Sequence, residues 1–445
     1  MYKRDMTSRR LTVLGAGVSG AAIARMAARL GAQVFVSDAA EITAETADSF
    51  ELEGIRYEQE GHTEKIFDCD TVVVGSGFPP NAPILGKLAS RGMDPVGELD
   101  FVMPFLKGHV IGITGSNGKT TTASLLGHLL KAEGVNCAVA GNIGNPAADA
   151  AGTDYDYIVL ELSSFQLHWA MSVKFAGAIV TNLAPDHIDW HGSYENYVRA
   201  KAKLVGFVED GFAIVQKRDG ETLKRDGIST RYLTWNPPCA ENDIFLSREE
   251  ASAVMNGKEL FRFGETGLLG FHNMENIAMA MGMVEMLGMG AAARASLPSY
   301  TAPAHRCGLV LEKSGVRYID DSKGTNIAAS VTAMSAIEGP HIVILGGRGK
   351  GENYGDLAEP LKKYAKYAYL VGEAAEEIGT SLAAGGFVDY AMAGDMENAV
   401  KRAVSAARPG DSVLLSPACT SWDVYNNYKE RGDHFASLVR KYTGV

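Results

Sequence analysis

A glycine-rich turn between an apolar run and a helical stretch constrains this chain more than any other feature. The run Val110–Ile113 leads directly into Thr114–Thr122, which reads TGSNGKTTT. This order predicts a buried strand, a tight turn and a helix that opens at Thr120, which is a unit of a parallel α/β sheet. Backbone N–H groups of such a turn, together with the positive end of the helix, bind phosphate. We therefore expect the chain to use a nucleoside triphosphate.

The turn departs from the strict phosphate-binding pattern, because Ile113 stands at the first glycine position and Gly115 supplies the turn instead. Lys119 is placed to reach terminal phosphates, and the hydroxyl of Thr120 to ligate Mg²⁺. The alternative is a glycine-rich connection that carries a lysine by chance.

Apolar runs alternate with helical stretches along the whole chain, which predicts an α/β fold with doubly wound parallel sheets. At 445 residues one core is not expected, and two or three domains are. Proline-containing segments at 95–104 and 298–303 are candidate boundaries. The predicted strands are Leu11–Leu14, Val34–Val36, Thr71–Val74, Val110–Ile113, Ile158–Leu160, Ala178–Val180, Val316–Ile319, Ile342–Leu345, Tyr369–Val371 and Val413–Leu415.

Composition limits the kinds of molecule that this chain is expected to bind and the compartment in which it is expected to act. The net charge of −11 argues against general affinity for nucleic acid or anionic membranes. No apolar run approaches the ~18 uncharged residues of a membrane span. The cysteines are far apart, so we expect no disulfide framework, a reducing compartment and a cytoplasmic protein. Cys419 is either a nucleophile or a small buried thiol, and buried thiols are the more common of the two. The others are Cys69, Cys137, Cys239 and Cys307.

The first hundred residues carry a second glycine pattern. Gly15–Gly20 reads GAGVSG, and Asp38 ends the next predicted strand. This is the dinucleotide fingerprint, with an acid placed to meet a ribose hydroxyl. Taken alone it could equally bind NAD, hold the phosphates of another nucleotide, or form a structural turn.

Polar residues follow two central strands. Glu161 ends the run that begins at Tyr157, beside the predicted phosphate loop, where Mg²⁺ would be held. Its alternative role is to cap the next helix. The loop at 181–191 is rich in His and Asp, which indicates either a magnesium-ligating imidazole or plain loop polarity, whereas zinc lacks a completing ligand. Lys201 lies on a predicted helix, where a lysine is solvated by default.

These residues together resemble the Mur ligase family, which makes amide bonds at the expense of ATP in peptidoglycan assembly. Asp320–Asn326 and Ser416–Asp423 resemble the D-glutamate-adding members, and the Asp-Asn-Pro-Arg motif of the diaminopimelate- and lysine-adding members does not occur in the sequence. The motifs that carry the resemblance are Thr114–Thr122, Glu161–Gln166, Thr181–His187, Ala200-Lys201, His272-Asn273 and His305-Arg306.

The resemblance implies three domains. Residues 1–98 would form a Rossmann-like domain that binds the UDP substrate, 99–301 a central ATPase domain with a parallel sheet, and 302–445 a Rossmann-like domain that binds the acceptor amino acid. The implied reaction joins UDP-N-acetylmuramoyl-L-alanine to D-glutamate through an acyl phosphate and releases ADP. It implies ATP, two Mg²⁺ sites and a carbamylated Lys201.

The resemblance also implies nucleotide, metal and catalytic residues by position. Thr120 and Glu161 would hold one Mg²⁺, and His187 and Lys201 (as a carbamate) the other, with Lys119 completing the catalytic set. ATP would contact Gly115, Ser116, Asn117, Gly118, Lys119, Thr120, Thr121, Asn273, Arg306 and Asp321.

Substrate contacts are implied in the same way. The UDP substrate would contact Ser19, Asp38, Ser76, Gly77, Asn142, Ser163, Gln166 and, near its muramoyl-alanine end, His187. D-Glutamate would contact Lys323, Thr325, Lys350, Ser421 and Tyr428. Gly75, Arg348 and Tyr428 differ from the family's usual serine, acid and phenylalanine, and we expect the last two changes to alter acceptor affinity but not acceptor identity. The loop 346–351 is alternatively a phosphate nest or a solvated loop.

Other functions remain as alternatives. They are the L-alanine-adding ligase of the same family, folylpolyglutamate synthase, a nicotinamide-dependent dehydrogenase and a non-catalytic nucleotide-binding module. We expect a monomer that acts on small molecules, without nucleic acid or membrane.

Overall fold

The computed structural model describes residues 6–224, 228–236, 240, 242–268 and 270–445, with only the backbone at Phe271. The N-terminal region forms a parallel sheet of order β3-β2-β1-β4-β5. Its strands are β1 (Arg10–Leu14), β2 (Gln33–Ser37), β3 (Arg56–Glu58), β4 (Thr71–Val74) and β5 (Val96–Gly97). Its helices are α1 (Val18–Arg29), α2 (Ala44–Leu52), α3 (Pro83–Ser90) and α4 (Glu98–Val102).

The central region forms a second sheet of order β14-β13-β12-β11-β10-β9-β6-β8-β7. Its strands are β6 (Lys107–Thr114), β7 (Cys137–Gly141), β8 (Asp154–Glu161), β9 (Phe175–Val180), β10 (Val208–Gln216), β11 (Ser229–Thr234), β12 (Ile244–Ser247), β13 (Ser252–Met255) and β14 (Lys258–Arg262). Its helices are α5 (Lys119–Ala132), α6 (Ser164–Trp169), α7 (Ile188–His191), α8 (Tyr194–Gly206), α9 (Gly220–Leu223), α10 (Phe271–Met286) and α11 (Ala291–Ser296).

The C-terminal region forms a third sheet of order β15-β16-β20-β17-β18-β19. Its strands are β15 (Gly308–Lys313), β16 (Val316–Asp320), β17 (His341–Gly346), β18 (Ala365–Val371), β19 (Tyr390–Gly394) and β20 (Ser412–Leu415). Its helices are α12 (Ile327–Ala336), α13 (Ala358–Tyr364), α14 (Ala375–Ala384), α15 (Met396–Ala406) and α16 (Tyr428–Thr443).

Both faces of the third sheet are buried, as a doubly wound fold requires. Along β17, Val343 and Leu345 enter one apolar cluster, while Ile342 and Ile344 enter a second cluster. Successive side chains of a strand point to opposite faces, so each face packs against its own layer of helices. The predicted α/β fold class is confirmed, and each predicted strand lies within an observed one.

The expectation of wholly parallel sheets is wrong at two edges. β12–β13, β13–β14 and β15–β16 pair antiparallel. The chain between these strands is too short for a crossover, which needs a dozen or more residues. Asn256-Gly257 and Ser314-Gly315 both have positive φ and make two-residue hairpin turns.

Helix bounds differ slightly from expectation. α5 begins at Lys119 rather than at Thr120. Contacts divide the chain into two compact units. The first unit comprises residues 1–183, 195–262 and 277–297, and the second 184–194, 263–276 and 298–445. The boundaries of three domains at 98/99 and 301/302 stay a prediction. No described helix is long and apolar enough to cross a membrane.

Candidate active site

The phosphate loop lies at the carboxyl end of β6, between Thr114 and the start of α5. β6 is flanked by β8 and β9, and the chain leaves it toward one side and returns on the other, which is where open α/β sheets bind ligands. Gly115 has φ of +145°, and a Cβ there would lie 1.9 Å from the Thr181 hydroxyl oxygen. Gly118, at φ +82°, precedes the helix as its N-cap without a side-chain cap. Both glycines are therefore required by the backbone of the loop.

The loop is held by the end of the neighbouring strand β9. Asn182 accepts from the backbone N–H of Asn117 (3.0 Å) and donates to the Asn117 carbonyl (3.0 Å). The Thr181 hydroxyl donates to the same carbonyl at 2.5 Å. Lys119 folds over the loop, where its Nζ donates to the carbonyls of Gly115 (2.8 Å) and Ser116 (2.7 Å). The cation therefore lies at the place where a terminal phosphate would meet the loop.

Glu161 ends β8 beside the loop and is almost completely buried. Its Oε1 accepts a long hydrogen bond of 3.4 Å from the Asn142 amide. Its Oε2 has no hydrogen-bond partner among the described residues. A buried carboxylate oxygen left without a donor is costly unless a cation meets it. Oxygen ligands beside a phosphate site suit Mg²⁺, so Glu161 and the hydroxyl of Thr120, in the first turn of α5, are of the kind that this ion takes.

The alternative that Glu161 caps a helix is wrong. The N-cap of α6 is Ser163, whose hydroxyl accepts from the backbone N–H of Gln166 at 3.1 Å. The Gln166 side chain returns a hydrogen bond to the backbone N–H of Ser163 at 2.9 Å, completing a capping box. Glu161 is therefore left for another purpose.

Lys201 is not the solvated lysine that its helix would suggest. It is buried in α8, with Nζ donating to the Gly115 carbonyl at 2.8 Å and lying 4.7 Å from the centre of the Tyr197 ring. The Tyr197 hydroxyl is hydrogen-bonded to the Ser116 hydroxyl at 2.8 Å. α8 turns these two residues inward because they are spaced by one helical turn. The expectation of a solvated lysine is wrong because the residues around Lys201 in the sequence do not indicate the distant loop that its side chain contacts.

Five of the predicted UDP-substrate residues line a cavity of about 490 Å³ at the carboxyl ends of β1 and β4. The glycine turns at 15–20 and 75–77 form most of its wall. Gly20 is required because a Cβ there would lie 1.9 Å from the Gly15 carbonyl oxygen. The predicted residues that line the cavity are Ser19, Asp38, Ser76, Gly77 and Asn142.

Asp38 and Asn142 line the cavity and also contact residues outside it. The carboxylate of Asp38 accepts from the backbone N–H groups of Ala16 (2.6 Å) and Ala40 (2.9 Å), so it holds the first turn in place. Asn142 contacts Glu161 through its side chain, and its backbone N–H donates to the Glu161 carbonyl at 2.9 Å. A ligand in the cavity would thus end beside the phosphate loop. Ser163 and Gln166 do not line the cavity; Gln166 instead donates to Glu98 at 3.1 Å.

The second unit gathers another set of predicted residues around Asp321. This carboxyl group is buried, and burial raises its pKa to about 7 against the opposing effects of Ser416 and Arg306. The Ser416 hydroxyl donates to it at 2.7 Å, and the backbone N–H of Cys307 at 3.3 Å. The positive charge of Arg306 lowers the pKa of Asp321, but less than burial raises it.

Three of the predicted acceptor residues lie on two adjoining loops: Lys323 and Thr325 after β16, and Ser421 after β20. Tyr428 is the first residue of α16. Lys323 Nζ lies 3.9 Å from the centre of the Tyr428 ring. The backbone N–H of Ala418 donates to the Gly324 carbonyl at 2.9 Å and joins the loops. Thr325 follows in the first loop, and Ser421 is buried in the second.

Arg431 fixes these two loops from α16. Its guanidinium is buried and donates to the carbonyls of Ser322 (2.8 Å), Thr420 (3.0 Å) and Cys419 (3.0 Å), and to the Ser322 hydroxyl (3.0 Å). Burial lowers its pKa to about 10, so it stays protonated at neutral pH. Arg431 could not be identified from the sequence, since nothing in the helix pattern distinguishes it from the exposed Arg440.

Lys350 forms a buried ion pair. Its Nζ donates to Asp186 Oδ1 at 2.7 Å, with both side chains 8% exposed. The Asn326 amide donates to Asp186 Oδ2 at 3.3 Å, and Glu352 Oε1 lies 4.0 Å from Lys350 Nζ. The Lys350 side chain is therefore not solvated, although Arg348, Gly349 and Gly351 of the same loop are exposed. The phosphate nest stays an alternative for the backbone of this loop. His187 follows Asp186 with φ of +53°, its Nε2 3.6 Å from Asp186 Oδ2.

The structure also places three further residues that the sequence analysis named: Asn273, Arg348 and Cys419. Asn273 is buried at the start of α10 and accepts from the Asn276 amide at 2.9 Å. Arg348 forms two hydrogen bonds of 2.9 Å with exposed Glu373. Cys419 is a buried thiol whose pKa burial raises to about 11, so it is not poised as a nucleophile. Cys239 lies outside the described residues.

A parallel sheet with a phosphate loop, a buried acid on the next strand and an adjoining cavity defines an α/β nucleotide-binding protein. Comparison with known families identifies it further. The chain matches the Mur ligase middle domain over residues 113–284 and the Mur ligase glutamate ligase domain over 305–419. Residues 10–84 match the MurD N-terminal domain. The chain belongs to the Mur ligase family.

Individual relatives agree along the full length. The chain is 35% identical to UDP-N-acetylmuramoylalanine–D-glutamate ligase of Pelotomaculum thermopropionicum, covering 98% of both chains. It is 37% identical to the ligase of the same name from Christiangramia forsetii, covering 97% of this chain and 99% of that one. Among solved structures, UDP-N-acetylmuramate–alanine ligase from Thermotoga maritima shares the fold with a TM-score of 0.63 at 18% identity, covering 98% of this chain and 99% of that one.

Proposed function

We propose that this protein is an ATP-dependent, ADP-forming ligase that adds D-glutamate to UDP-N-acetylmuramoyl-L-alanine in peptidoglycan precursor synthesis. The observation that carries the proposal is Glu161. It leaves a buried carboxylate oxygen without a partner beside a phosphate loop, and it contacts Asn142, which lines the cavity of the first sheet. Relatives at 35–37% identity over nearly the whole chain bear the name of this ligase.

The chemistry needs charge neutralisation, because a carboxylate must attack a triphosphate. One carboxylate oxygen of the UDP substrate bonds to the γ-phosphorus of ATP, and the bond from that phosphorus to the β-phosphate oxygen breaks to release ADP. The amine of D-glutamate loses a proton and attacks the resulting acyl phosphate. The tetrahedral intermediate then expels inorganic phosphate. Mg²⁺, when bound, supplies Lewis-acid neutralisation of the phosphate oxygens.

We assign the first Mg²⁺ to Thr120 and Glu161, and the phosphates of ATP to Lys119 and the backbone of residues 115–121. Lys119 lies over the loop and balances charge as the γ-phosphate is attacked. Lys201, close to the same loop, would serve the second Mg²⁺ as a carbamate. An ammonium repels a divalent cation, and carbamylation turns it into an anionic oxygen ligand. We assign His187 as a further metal ligand.

For the acceptor, we propose Lys323, Thr325, Lys350, Ser421 and Tyr428 as the D-glutamate site. The ion pair of Lys350 with Asp186 offers a cation for a carboxylate and an anion for an ammonium group. A dicarboxylic amino acid carries both of these charges. Arg306, Asp321 and Asn273 are assigned to the nucleotide. The protein would act as a cytoplasmic monomer, without nucleic acid or membrane.

Release of ADP, measured with a coupled enzyme assay across a substrate panel, tests the proposal. The panel combines UDP-N-acetylmuramate, its L-alanyl form or folate with L-alanine, D-glutamate or L-glutamate. We expect turnover only with the alanyl form and D-glutamate. Turnover of UDP-N-acetylmuramate with L-alanine, or of folate with L-glutamate, would identify a different member of the family.

A further inference from the structure

The cavity of the first sheet has two kinds of wall. The glycine turn before α1 and the start of that helix suit a diphosphate. Two apolar side chains, Val18 and Phe78, also line the cavity, and Val18 is 71% exposed. Apolar side chains in a ligand cavity pack against flat rings, so this wall suits the base of a nucleotide.

His62 lies beside the apolar wall of the cavity. The centres of the His62 and Phe78 rings are 6.2 Å apart. The backbone N–H of Gly61 donates at 3.1 Å to the carbonyl of Asp38, which also lines the cavity. His62 is therefore held next to two residues of the cavity, and it is only partly buried.

A series of hydrogen bonds fixes the His62 ring. Its Nδ1 lies 2.7 Å from the hydroxyl oxygen of Ser37, which is fully buried at the end of β2. The same hydroxyl oxygen lies 2.8 Å from Glu58 Oε1 and 3.5 Å from the Gly61 carbonyl oxygen. Glu58 also accepts from the backbone N–H (2.8 Å) and the hydroxyl (2.5 Å) of Thr63. The shortest contact of the serine with an acceptor is therefore the one with Glu58.

The direction of these hydrogen bonds determines which His62 nitrogen carries the hydrogen. Burial alone would raise the pKa of Glu58, but the hydrogen bonds from Thr63 and Ser37 outweigh it and lower that pKa, so the group is ionised. An ionised carboxylate only accepts, so the single proton of the Ser37 hydroxyl points to Glu58. The Ser37 oxygen then accepts from His62, and Nδ1 carries the hydrogen.

Nε2 of His62 is the last atom of this series. Burial lowers the pKa of His62 against the opposing charges of Glu58 and Asp38, which favours the neutral imidazole at neutral pH. In a neutral imidazole with its hydrogen on Nδ1, Nε2 has a lone pair and accepts. Within the described part of the chain, His62 makes its hydrogen bond through Nδ1 and none through Nε2.

An acceptor beside the base wall distinguishes between the two common pyrimidines. N3 of uracil carries a hydrogen, whereas N3 of cytosine has a lone pair. A lone pair that faces another lone pair leaves both acceptors unsatisfied, and this lowers affinity where water is excluded.

We propose that His62 is a specificity-determining residue whose Nε2 accepts a hydrogen bond from N3–H of the uracil base. Ser37 and Glu58 are positioning residues, because they fix the hydrogen of the imidazole on Nδ1. The inference rests on the proposed function for the identity of the nucleotide. It deepens that function by naming the residue that selects the base.

Ligands that differ at the edge of the base test the inference on the wild-type protein. The dissociation constant is measured by calorimetry for UDP-N-acetylmuramoyl-L-alanine, for its N3-methyluracil derivative and for its cytidine counterpart. Methylation of N3 removes the proposed donor, and cytosine replaces that donor by an acceptor. We expect both altered ligands to bind about 10- to 100-fold more weakly than the uridine ligand.

His62→Phe keeps a ring beside Phe78 but removes both nitrogens. It should weaken binding of the uridine ligand about 10- to 100-fold and leave the affinity for the cytidine ligand within about threefold, so that the preference for uracil disappears. Ser37→Ala removes the acceptor that holds the hydrogen on Nδ1, and should lower the preference by a smaller factor of about three to ten. For both variants, kcat at saturating substrate should change little.

His109→Phe is the matched control. His109 is exposed on β6, its ring centre lies 5.5 Å from that of Tyr157, and it does not line the cavity. This variant should keep both the affinity and the uracil preference of the wild type. Because the preference is a ratio of two affinities measured on one protein, a general loss of folded protein does not change it.

The outcomes separate this inference from the proposed function. Failure of the wild type to bind any of the three ligands would overturn both. Binding of the uridine ligand without preference over the other two would overturn this inference alone. A preference that persists in His62→Phe would show that another group selects the base, and would also overturn it.

Discussion

Buried polar side chains carry most of the functional argument at the scale of single residues. Lys201 donates to the Gly115 carbonyl of the phosphate loop, and Glu161 ends the strand that pairs with β6 before that loop. A buried charge persists only where it is paired or ligated. In the second unit, Asp321 and the pair of Lys350 with Asp186 are buried in the same way. A buried charged group lowers the free energy of unfolding relative to an apolar residue of similar size at the same position. We therefore infer that these groups are present for chemistry.

Glu161→Gln should lower kcat by about 10²- to 10³-fold, because the amide cannot replace a carboxylate as a magnesium ligand. Its folded state should be at least as stable as the wild type, since an unsatisfied buried charge is removed. The measurement is ADP release as a function of Mg²⁺ concentration, together with thermal unfolding. Asp154→Asn, at the exposed start of the same strand, is the control and should retain activity. Full activity in Glu161→Gln would contradict the assignment.

Lys201→Ala should abolish turnover, and bicarbonate or a short-chain carboxylic acid should restore part of it by supplying the missing oxygen ligand. The exposed Arg199→Ala on the same helix should behave as the wild type. Activity assays with and without added acid, and the mass of the intact protein under CO₂, check this prediction. An alanine variant with wild-type activity would remove the carbamate from the account.

Proton binding by Asp321 should make the free energy of unfolding depend on pH. Burial raises its pKa in the folded state to about 7, above the value of 3.8 of an exposed carboxyl group. The folded state therefore binds the proton more tightly, so this group's contribution to stability falls as pH rises between those values and is constant above about 7. Relative to the wild type, Asp321→Asn should gain stability from pH 5 to pH 8. Denaturant unfolding at both pH values measures this, and a pH-independent difference would show that Asp321 is not responsible.

At the scale of elements, the site depends on how loops are held between strands and helices. The phosphate loop is fixed by Thr181 and Asn182 at the end of β9, and the loops after β16 and β20 are fixed by Arg431 on α16. In both cases a neighbouring element supplies side chains that pair with loop backbone. This restraint keeps the loops in one geometry before a ligand binds.

Arg431→Lys should destabilise the protein by about 2–4 kcal/mol, because a single ammonium cannot satisfy the carbonyl groups that the guanidinium holds together. It should also raise the KM for D-glutamate more than the KM for ATP, since Thr420 and Ser322 adjoin the acceptor residues. Arg440→Lys, exposed on the same helix, should change neither quantity. Denaturant unfolding and steady-state kinetics compare the two variants. Equal effects from both would refute the role of Arg431.

At the scale of the whole molecule, the sequence predicts more of the fold than of the site. Alternating apolar runs identify the strands because each buried strand is continuous and short. The antiparallel edges were missed although Asn256-Gly257 is a strong hairpin signal, because the general alternation was given more weight. Contacts such as Lys201 with Gly115, Glu98 with Gln166 and Lys350 with Asp186 join residues 68 to 164 positions apart, and no local pattern encodes them.

The residues that we propose for the reaction are distributed across the chain. The phosphate loop, Glu161 and Lys201 belong to the first unit, while Asp321, Lys350 and Lys323 belong to the second. In the proposed reaction the acyl phosphate forms only from the UDP substrate and is consumed only by the amino acid. We therefore expect little release of ADP when either the UDP substrate or the amino acid is withheld.

The most direct test of the account is therefore Mg²⁺-dependent release of ADP by the wild-type protein. It is measured with UDP-N-acetylmuramoyl-L-alanine and D-glutamate together, with each alone, and with EDTA. The account predicts one ADP for each amide bond formed, and none above background when either substrate or the metal is removed. ADP release that does not depend on the two substrates, or amide formation without ADP, would contradict it.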